Sequence, residues 1–402
     1  MPLSRAINLP YRMLPPFARL LLNRLKRLQH GSLQLHTPEG DTLRLGQHGA
    51  APEAELTVHD WSACRKLLLS GDIGFAEAYR DGLVDSPDLT ALLRLALRNE
   101  AALRTTLSGS LPARWWYALK HRLRRNSKSG SRRNIHAHYD LGNTFYQLWL
   151  DSSWTYSSAW FNGDCTQSLS QAQAAKYQRI CDVLQLRPGM RVLEIGCGWG
   201  GFAEHAAQQG IAVHGITLSE AQLAFARQRL ADYPQVTLAL QDYRDLSGQY
   251  DAIVSIEMFE AVGEAYWRDY FHTLQRLLKP GAQALVQSIT IDDRHYDRYR
   301  SRSDFIQEFI FPGGMLPSCK RFESTAAQCG LQTLNRLDFG PDYAETLRRW
   351  REGFEHTLLA TRQLGFDEAF IRIWRLYYCY CEAGFDEGRT GVSQFLLQAQ
   401  PA

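Results

Sequence analysis

The chain has 402 residues, a formal net charge of +3, and 45% hydrophobic and 22% charged residues, which suffices for two domains with a sizeable core. No apolar run reaches the roughly 18 residues of a membrane span, and Arg5, Arg12, Arg19 and Arg24 break up the N-terminal apolar runs, which argues against a signal peptide. The eight cysteines have no metal-ligand spacing, Cys379 and Cys381 forming only a C-x-C, so free thiols and a cytoplasmic setting are expected.

From Arg5 to Arg27 the basic residues have no acidic neighbour. Residues 30 to 60 alternate apolar and polar positions (LQLHTPEGDTLRLG, AELTVHD), which predicts strands with a turn at Pro38 to Gly40. Residues 61 to 125 read as helices, and together these segments predict an N-terminal α+β accessory domain over 1–125. Its end is a second basic run, Arg114 to Arg133, opened by Trp115, Trp116 and Tyr117. Basic residues beside aromatics suit an anionic lipid surface; nucleic acid attracts them by the same electrostatics, and a plain basic linker needs neither. The polar stretch NSKSGSRRN over 126–134 reads as that linker.

A third region, 135–402, alternates strand-like and helical runs: MRVLEIG, FAEHAAQQG, IAVHGITL, EAQLAFARQRLAD, VTLALQD, YDAIVSI, YWRDYFHTLQRLL, AQALVQSIT. That order predicts a doubly wound α/β sheet. At its first turn, VLEIGCGWGG (192–201) places Gly196, Gly198 and Gly200 between a strand and a helix, where glycine permits a tight turn and close approach to a ligand. A dinucleotide site wants GxGxxG and an acid about 20 residues on. Here the spacing is GxGxG after Glu194, and GITLSEAQ closes the next strand without an acid at its tip. The pattern is that of methyltransferases using S-adenosylmethionine (SAM), with QDYRDL (241–246) after the third strand as the adenine-side segment. His136, His138, Tyr139 and Asp140 lack a third and fourth partner for a metal, and no metal is expected.

SIEMFEAVG (255–263) then sets Glu257 and Glu260 three apart among Ile256, Met258, Phe259 and Val262. With NIHAHYDLGNTFYQLWLDSSWTYSSAWF (134–161), FIFPGGMLPS (309–318), DFGPDYAETLRRW (338–350) and GRTGVSQFLL (388–397), it makes the chain resemble the cyclopropane fatty acid synthases and their mycolic acid relatives over nearly its whole length. The resemblance implies a class I SAM-methyltransferase fold. It also implies a reaction in which a cis double bond of a phospholipid acyl chain takes up the SAM methyl group, and a base then removes a proton as a cyclopropane closes. In the family that base is a bound bicarbonate. Carried over, its surroundings are Ser158 in place of a cysteine, Glu260, Gln287 in place of a histidine, Ile289 and Tyr343. Glu257 stands where the family has a glycine.

A second carboxylate beside bicarbonate would repel it in a low-dielectric pocket. The expectation is therefore that Glu257 occupies the bicarbonate position and serves as the base, oriented by Gln287 and Tyr343, the two glutamates titrating as a coupled pair. The resemblance places SAM against Tyr156, Ser157, Gly196, Gly198, Gly200, Thr217, Leu218, Gln222, Asp242, Tyr243 and Ile256. Core packing is expected for Trp374, Tyr377, Tyr378 and Tyr380, with an acyl-channel lining as the alternative, and Glu308 is a candidate pocket residue. The implied product is a cyclopropane fatty acid. A methyl-branched unsaturated lipid is the alternative, and a non-catalytic SAM- or lipid-binding protein is a third reading. Expected partners are unsaturated phospholipids at an anionic membrane surface, on the cytoplasmic face, and a second copy of the chain; nucleic acid is not expected.

Overall fold

The computed structural model describes residues 14–47, 49–107 and 141–399. The second basic run, the 126–134 linker and the 136–140 cluster lie outside these residues. The described residues divide into two compact units that are not continuous in sequence. One holds the residues up to 107 together with Ser301–Ile310 and Leu358–Glu387; the other holds the rest.

The first unit contains a four-stranded sheet, order β2-β1-β3-β4, from β1 (Ser32–His36), β2 (Thr42–Gly46), β3 (Glu53–Val58) and β4 (Val84–Asp85). The Pro38–Gly40 turn joins β1 to antiparallel β2 as predicted, and Leu33 and Leu35 point into the core. Its helices include Leu89–Arg98, capped by Asp88 Oδ1 accepting from the Ala91 N–H at 2.9 Å, and Glu368–Asp386, capped by Asp367. The linear reading places 358–387 with the catalytic region; in the fold this segment is part of the first unit. The reason lies in contacts distant in sequence. Arg94 and Arg98 reach Glu387 at 2.7 and 2.8 Å, and Arg372 reaches Asp85 at 2.7 Å. Trp374, Tyr377 and Tyr378 are buried core residues. No helix among the described residues is long and apolar enough to cross a membrane.

The second unit is built on a seven-stranded sheet, order β10-β11-β9-β8-β5-β6-β7: β5 (Arg191–Ile195), β6 (Ala212–Thr217), β7 (Val236–Leu240), β8 (Tyr250–Ile256), β9 (Leu278–Ile291), β10 (Leu331–Asp338) and β11 (Thr390–Ala399). β11 alone runs opposite to the other six strands, which share one direction. The central strands are rich in buried apolar residues because both faces are covered, with Glu194 on β5 and Gln287 on β9 among the buried polar exceptions. Alternate residues serve opposite layers. Leu193, Ile253 and Val286 join the core beneath the helices Trp267–Leu277 and Cys319–Gln328, while Val192, Val254 and Leu285 join the one beneath Leu169–Val183, Gly201–Ala207 and Glu220–Arg229. The doubly wound sheet predicted from the strand and helix order is thus present. In the first of these cores Phe322 is fully buried and stacks on Phe395 at 3.9 Å, with Phe259 and Phe271 edge-on at 5.0 and 5.1 Å. Phe322→Ala should lower stability by about 3–5 kcal/mol; a denaturant-unfolding loss under about 1 kcal/mol would contradict this packing account.

Candidate active site

The strand order reverses at β5, with β6 on one side and β8 on the other, and ligands bind at such switch points beyond the carboxyl ends of the strands. A cleft opens there. Its floor is the turn after β5, where Gly196, Gly198 and Gly200 take φ of 86°, 52° and 84°. A Cβ on Gly196 would lie 3.0 Å from the Met258 side chain. Tyr156, Ser157, Gly196, Gly198, Thr217, Leu218, Gln222, Asp242, Tyr243 and Ile256 all line this cleft. Gly200 does not. It caps the helix Gly201–Ala207 in the left-handed conformation, and a Cβ there would meet Leu230 Cδ1 at 2.9 Å, so it serves packing. Glu308 belongs to the first unit and is not among the cleft residues.

The Thr217 hydroxyl donates to Gln222 Oε1 at 3.1 Å, which leaves the amide NH₂ of Gln222 as the group it offers the cleft. Asp242 is held by Arg244, whose Nε and Nη2 donate to its two oxygens at 2.8 and 2.6 Å. Glu194 Oε2 is buried in the cleft wall with no hydrogen-bond partner among the described residues, and burial pushes this carboxyl up to about 8. An orphaned acceptor beside glycine-rich backbone fits the ammonium end of an amino-acid-bearing ligand such as SAM.

The end of β8 carries the two acids. Glu257 is one of four non-glycine residues with positive φ among the described residues, at 49°, a conformation costing about 1–2 kcal/mol in an L residue. Its own N–H donates to Gln287 O at 2.8 Å. Its carboxylate lies at the cleft wall, where Oε1 accepts from the Ser158 N–H and from Gln287 Nε2, both at 2.8 Å, and Oε2 accepts from the Tyr343 hydroxyl at 2.6 Å. The Ser158 hydroxyl turns away to Ala159 O at 2.9 Å, so its main chain alone serves Glu257. Asp342 and Thr346, on the helix Gly340–His356 that carries Tyr343, hold the segment in place. They accept from the N–H groups of Phe161 and Asn162 at 2.8 and 3.1 Å and of Ala159 at 3.0 Å.

Glu260 Oε1 accepts from the Ile289 N–H and, at 3.1 Å, from the Ser288 hydroxyl. Its Oε2 is buried without a partner among the described residues. Burial above all, and then the neighbouring Glu257, push the Glu260 carboxyl up to about 8. Burial also raises Glu257, against the opposing pull of Tyr343, Lys176, Ser158 and Gln287. The expected constellation of Glu257, Glu260, Gln287, Ser158, Ile289 and Tyr343 is therefore assembled, with Glu257 making the contacts expected of an anion in that place.

Sequence reasoning missed Lys176. This lysine is fully buried and donates to Ser157 Oγ and Gln173 Oε1, both at 2.7 Å. Burial lowers it to about 7, opposed by Glu257, Asp151 and Glu194. The signal available was a lysine beside two alanines on a helical face of LSQAQAAKYQRICDV that also carries buried apolar residues such as Ala172, Tyr177 and Ile180.

A family model described as mycolic acid cyclopropane synthetase matches residues 126–395. A tuberculostearic acid methyltransferase of Mycobacterium tuberculosis is 38% identical over 399 residues, covering 94% of this chain and 90% of that protein. A cyclopropane-fatty-acyl-phospholipid synthase of Escherichia coli is 36% identical over 347 residues, covering 84% of this chain and 86% of the relative. Among solved structures, a mycolic acid cyclopropane synthase complexed with SAH and CTAB is 31% identical, with a TM-score of 0.62 over 66% of this chain and 98% of the other.

The raised Glu260 carboxyl has a consequence for stability. The folded protein keeps a proton that the unfolded chain releases near 4.5, so the resulting stabilisation is complete below that pH and disappears as pH rises towards about 8. Glu260→Gln mimics the protonated acid. It should match the wild type near pH 5 and exceed it at pH 8, by on the order of 2–4 kcal/mol, in denaturant unfolding at the two pH values. Equal stability differences at both pH values would exclude this account.

Proposed function

This chain belongs to the mycolic acid cyclopropane synthetase family, and from that premise we propose that it transfers a one-carbon unit from SAM to a cis double bond of an unsaturated phospholipid acyl chain, with Glu257 as the base. The observation that carries this reading is the Glu257 carboxylate, held at the cleft wall by Ser158, Gln287 and Tyr343. A bound SAM supplies an electrophilic methyl group. Tyr156, Ser157, Gly196, Gly198, Thr217, Leu218, Gln222, Asp242, Tyr243 and Ile256 would hold it, with Glu194 Oε2 facing its ammonium.

An alkene is a weak nucleophile, so the protein must hold it in line and keep water out. Ile256, Met258 and Val262 give the cleft apolar walls. The cation left on the acyl chain is met by the charge of Glu257 and by the Tyr156 ring, which packs among Tyr146, Trp149 and Trp350 at 5.2–5.6 Å. Glu260, favouring its neutral form, leaves Glu257 as the ionised partner of the pair. Glu257 then takes the proton that ends the reaction.

Two products follow from where that proton comes off. Loss from the delivered carbon closes a cyclopropane, the reading supported by the family description and by the 36% identity to the E. coli synthase. Loss from the chain gives a methyl-branched, still unsaturated lipid, a second reading supported by the methyltransferase relative that aligns with 94% of this chain. The choice of a phospholipid at an anionic membrane surface is supported by Arg19, Arg24, Lys26 and Arg27 on and beside the helix Pro16–Leu25, which exposes Phe17 and Leu20.

SAM with a fully deuterated methyl group, incubated with unsaturated phosphatidylglycerol vesicles, tests the proposal by mass spectrometry of the lipid. A ring keeps two deuteriums and a branch three; absence of transfer overturns the function. Glu257→Gln should lower turnover at least about 100-fold while SAM affinity stays within a few-fold of the wild type. Intact turnover in that variant, with wild-type activity rising on added bicarbonate, would remove Glu257 from the role of base.

A further inference from the structure

An ionised carboxylate only accepts hydrogen bonds and a guanidinium only donates them. Between Glu257 and Arg179 lie two primary amides, each with one accepting and one donating end. Arg179 Nη1 donates to Gln394 Oε1 at 2.6 Å, Gln394 Nε2 donates to Gln287 Oε1 at 3.0 Å, and Gln287 Nε2 donates to Glu257 Oε1 at 2.8 Å. The two glutamines face each other across β9 and β11 and are 0% and 2% exposed, so bulk water offers neither amide another partner. We propose that Arg179 is a positioning residue which, through Gln394, locks the Gln287 amide with its NH₂ towards Glu257 and so directs the proton to Oε2 of that carboxylate. This rests on the reading of Glu257 as base.

The two ends of a glutamine amide are nearly the same shape, so packing alone does not choose between them. The ionised Glu257 carboxylate favours the observed sense from one end, and Arg179 holds it from the other whatever the protonation state of Glu257. Turning Gln394 over would set its NH₂ against the guanidinium and its oxygen against Gln287 Oε1; turning Gln287 over as well would set an oxygen against Glu257. Each reversal replaces hydrogen bonds with repulsive contacts in a buried, low-dielectric network. Polarity therefore runs one way, from a residue that cannot accept to one that cannot donate.

The same polarity separates the two carboxylate oxygens. Oε1 receives two N–H donors, from Gln287 and from the Ser158 main chain. Neither donor can become an acceptor, so a proton on Oε1 would break one of these bonds. Oε2 has the Tyr343 hydroxyl at 2.6 Å, and a hydroxyl can rotate from donating to accepting. Protonation at Oε2 preserves every hydrogen bond on the carboxyl group, Tyr343 changing its sense. Where the family pattern has a titratable histidine, this chain uses an amide whose direction an arginine two links away imposes.

The test uses the full chain labelled with ¹³C at the glutamate side-chain carboxyl carbon, Glu257→Gln identifying the Glu257 resonance. Arg179→Met keeps an aliphatic stem against Trp160, whose ring lies 5.6 Å from the guanidinium, but removes the donor. Gln394→Glu keeps the shape and still accepts from Arg179, yet cannot donate to Gln287, which then turns its oxygen to Glu257. Both should raise the Glu257 midpoint by about one pH unit or more and move the acid limb of the pH–rate profile the same way. Arg179→Lys, still a pure donor, should return the midpoint towards the wild-type value. SAM affinity by calorimetry within about threefold of the wild type certifies the fold of each variant; if one does not fold, the other decides. A folded variant titrating at the wild-type midpoint overturns the proposal. The carbon titration needs no turnover, so a wild-type protein that transfers nothing to lipid would refute the function while the relay is still decided by the midpoints.

Discussion

The cleft of the second unit is organised around one buried carboxyl group, that of Glu257. Glu257 takes a left-handed backbone at the end of β8, where glycine would be unstrained, and its carboxylate is secured from three directions. The Ser157–Ser158 segment supplies a main-chain N–H, β9 supplies Gln287, and the helix Gly340–His356 supplies Tyr343. Each donor is itself anchored: Ser158 through Asp342 and Thr346, Gln287 through β11 and Gln394. The conformational cost, about 1–2 kcal/mol, is offset by charge-assisted bonds of roughly 1.5–3 kcal/mol each. Removing the carboxylate would leave buried donors unpaired from three separate elements.

Charge balance around it follows the same constraint. Glu194, Glu257 and Glu260 are all raised by burial, and Lys176 is lowered by it. The Lys176 ammonium is tied to Ser157 Oγ, next to the residue whose N–H meets Glu257. The lysine therefore fixes the segment by hydrogen bonding and moderates the acids by its field. A site of this kind is incomplete by itself: Glu194 Oε2 and Glu260 Oε2 are buried carboxyl oxygens without hydrogen-bond partners among the described residues. Cationic ligands and cationic reacting groups are what such a site stabilises.

The strand and helix order, the glycine turn and the two glutamates were readable directly, because period, turn chemistry and residue type are local properties. Gly196 and Gly198 lie at the cleft as anticipated, whereas Gly200, one step further in the same motif, packs on Leu230. The difference is which way each peptide faces once the helix begins. Asp242, which the resemblance places against SAM, lines the cleft with both oxygens engaged by Arg244 two residues on. Lys176, Arg179 and Gln394 were not singled out. Their roles depend on partners distant in sequence, Lys176 on Ser157 19 positions away and Arg179 on Gln394 215 positions away.

The sequence by itself determined the sheet, the place of the cleft and the presence of an unexpected acid three residues before Glu260. These follow from hydrophobic periodicity and from a few residue types that act where they stand. Tertiary structure alone decided that the segment 358–387 folds with the first unit, that Ser158 serves through its main chain, and that an arginine sets the direction of a glutamine amide beside Glu257. Hydrogen-bond direction is a property of a closed network: it is specified only when the donor at one end and the acceptor at the other are brought together by the fold.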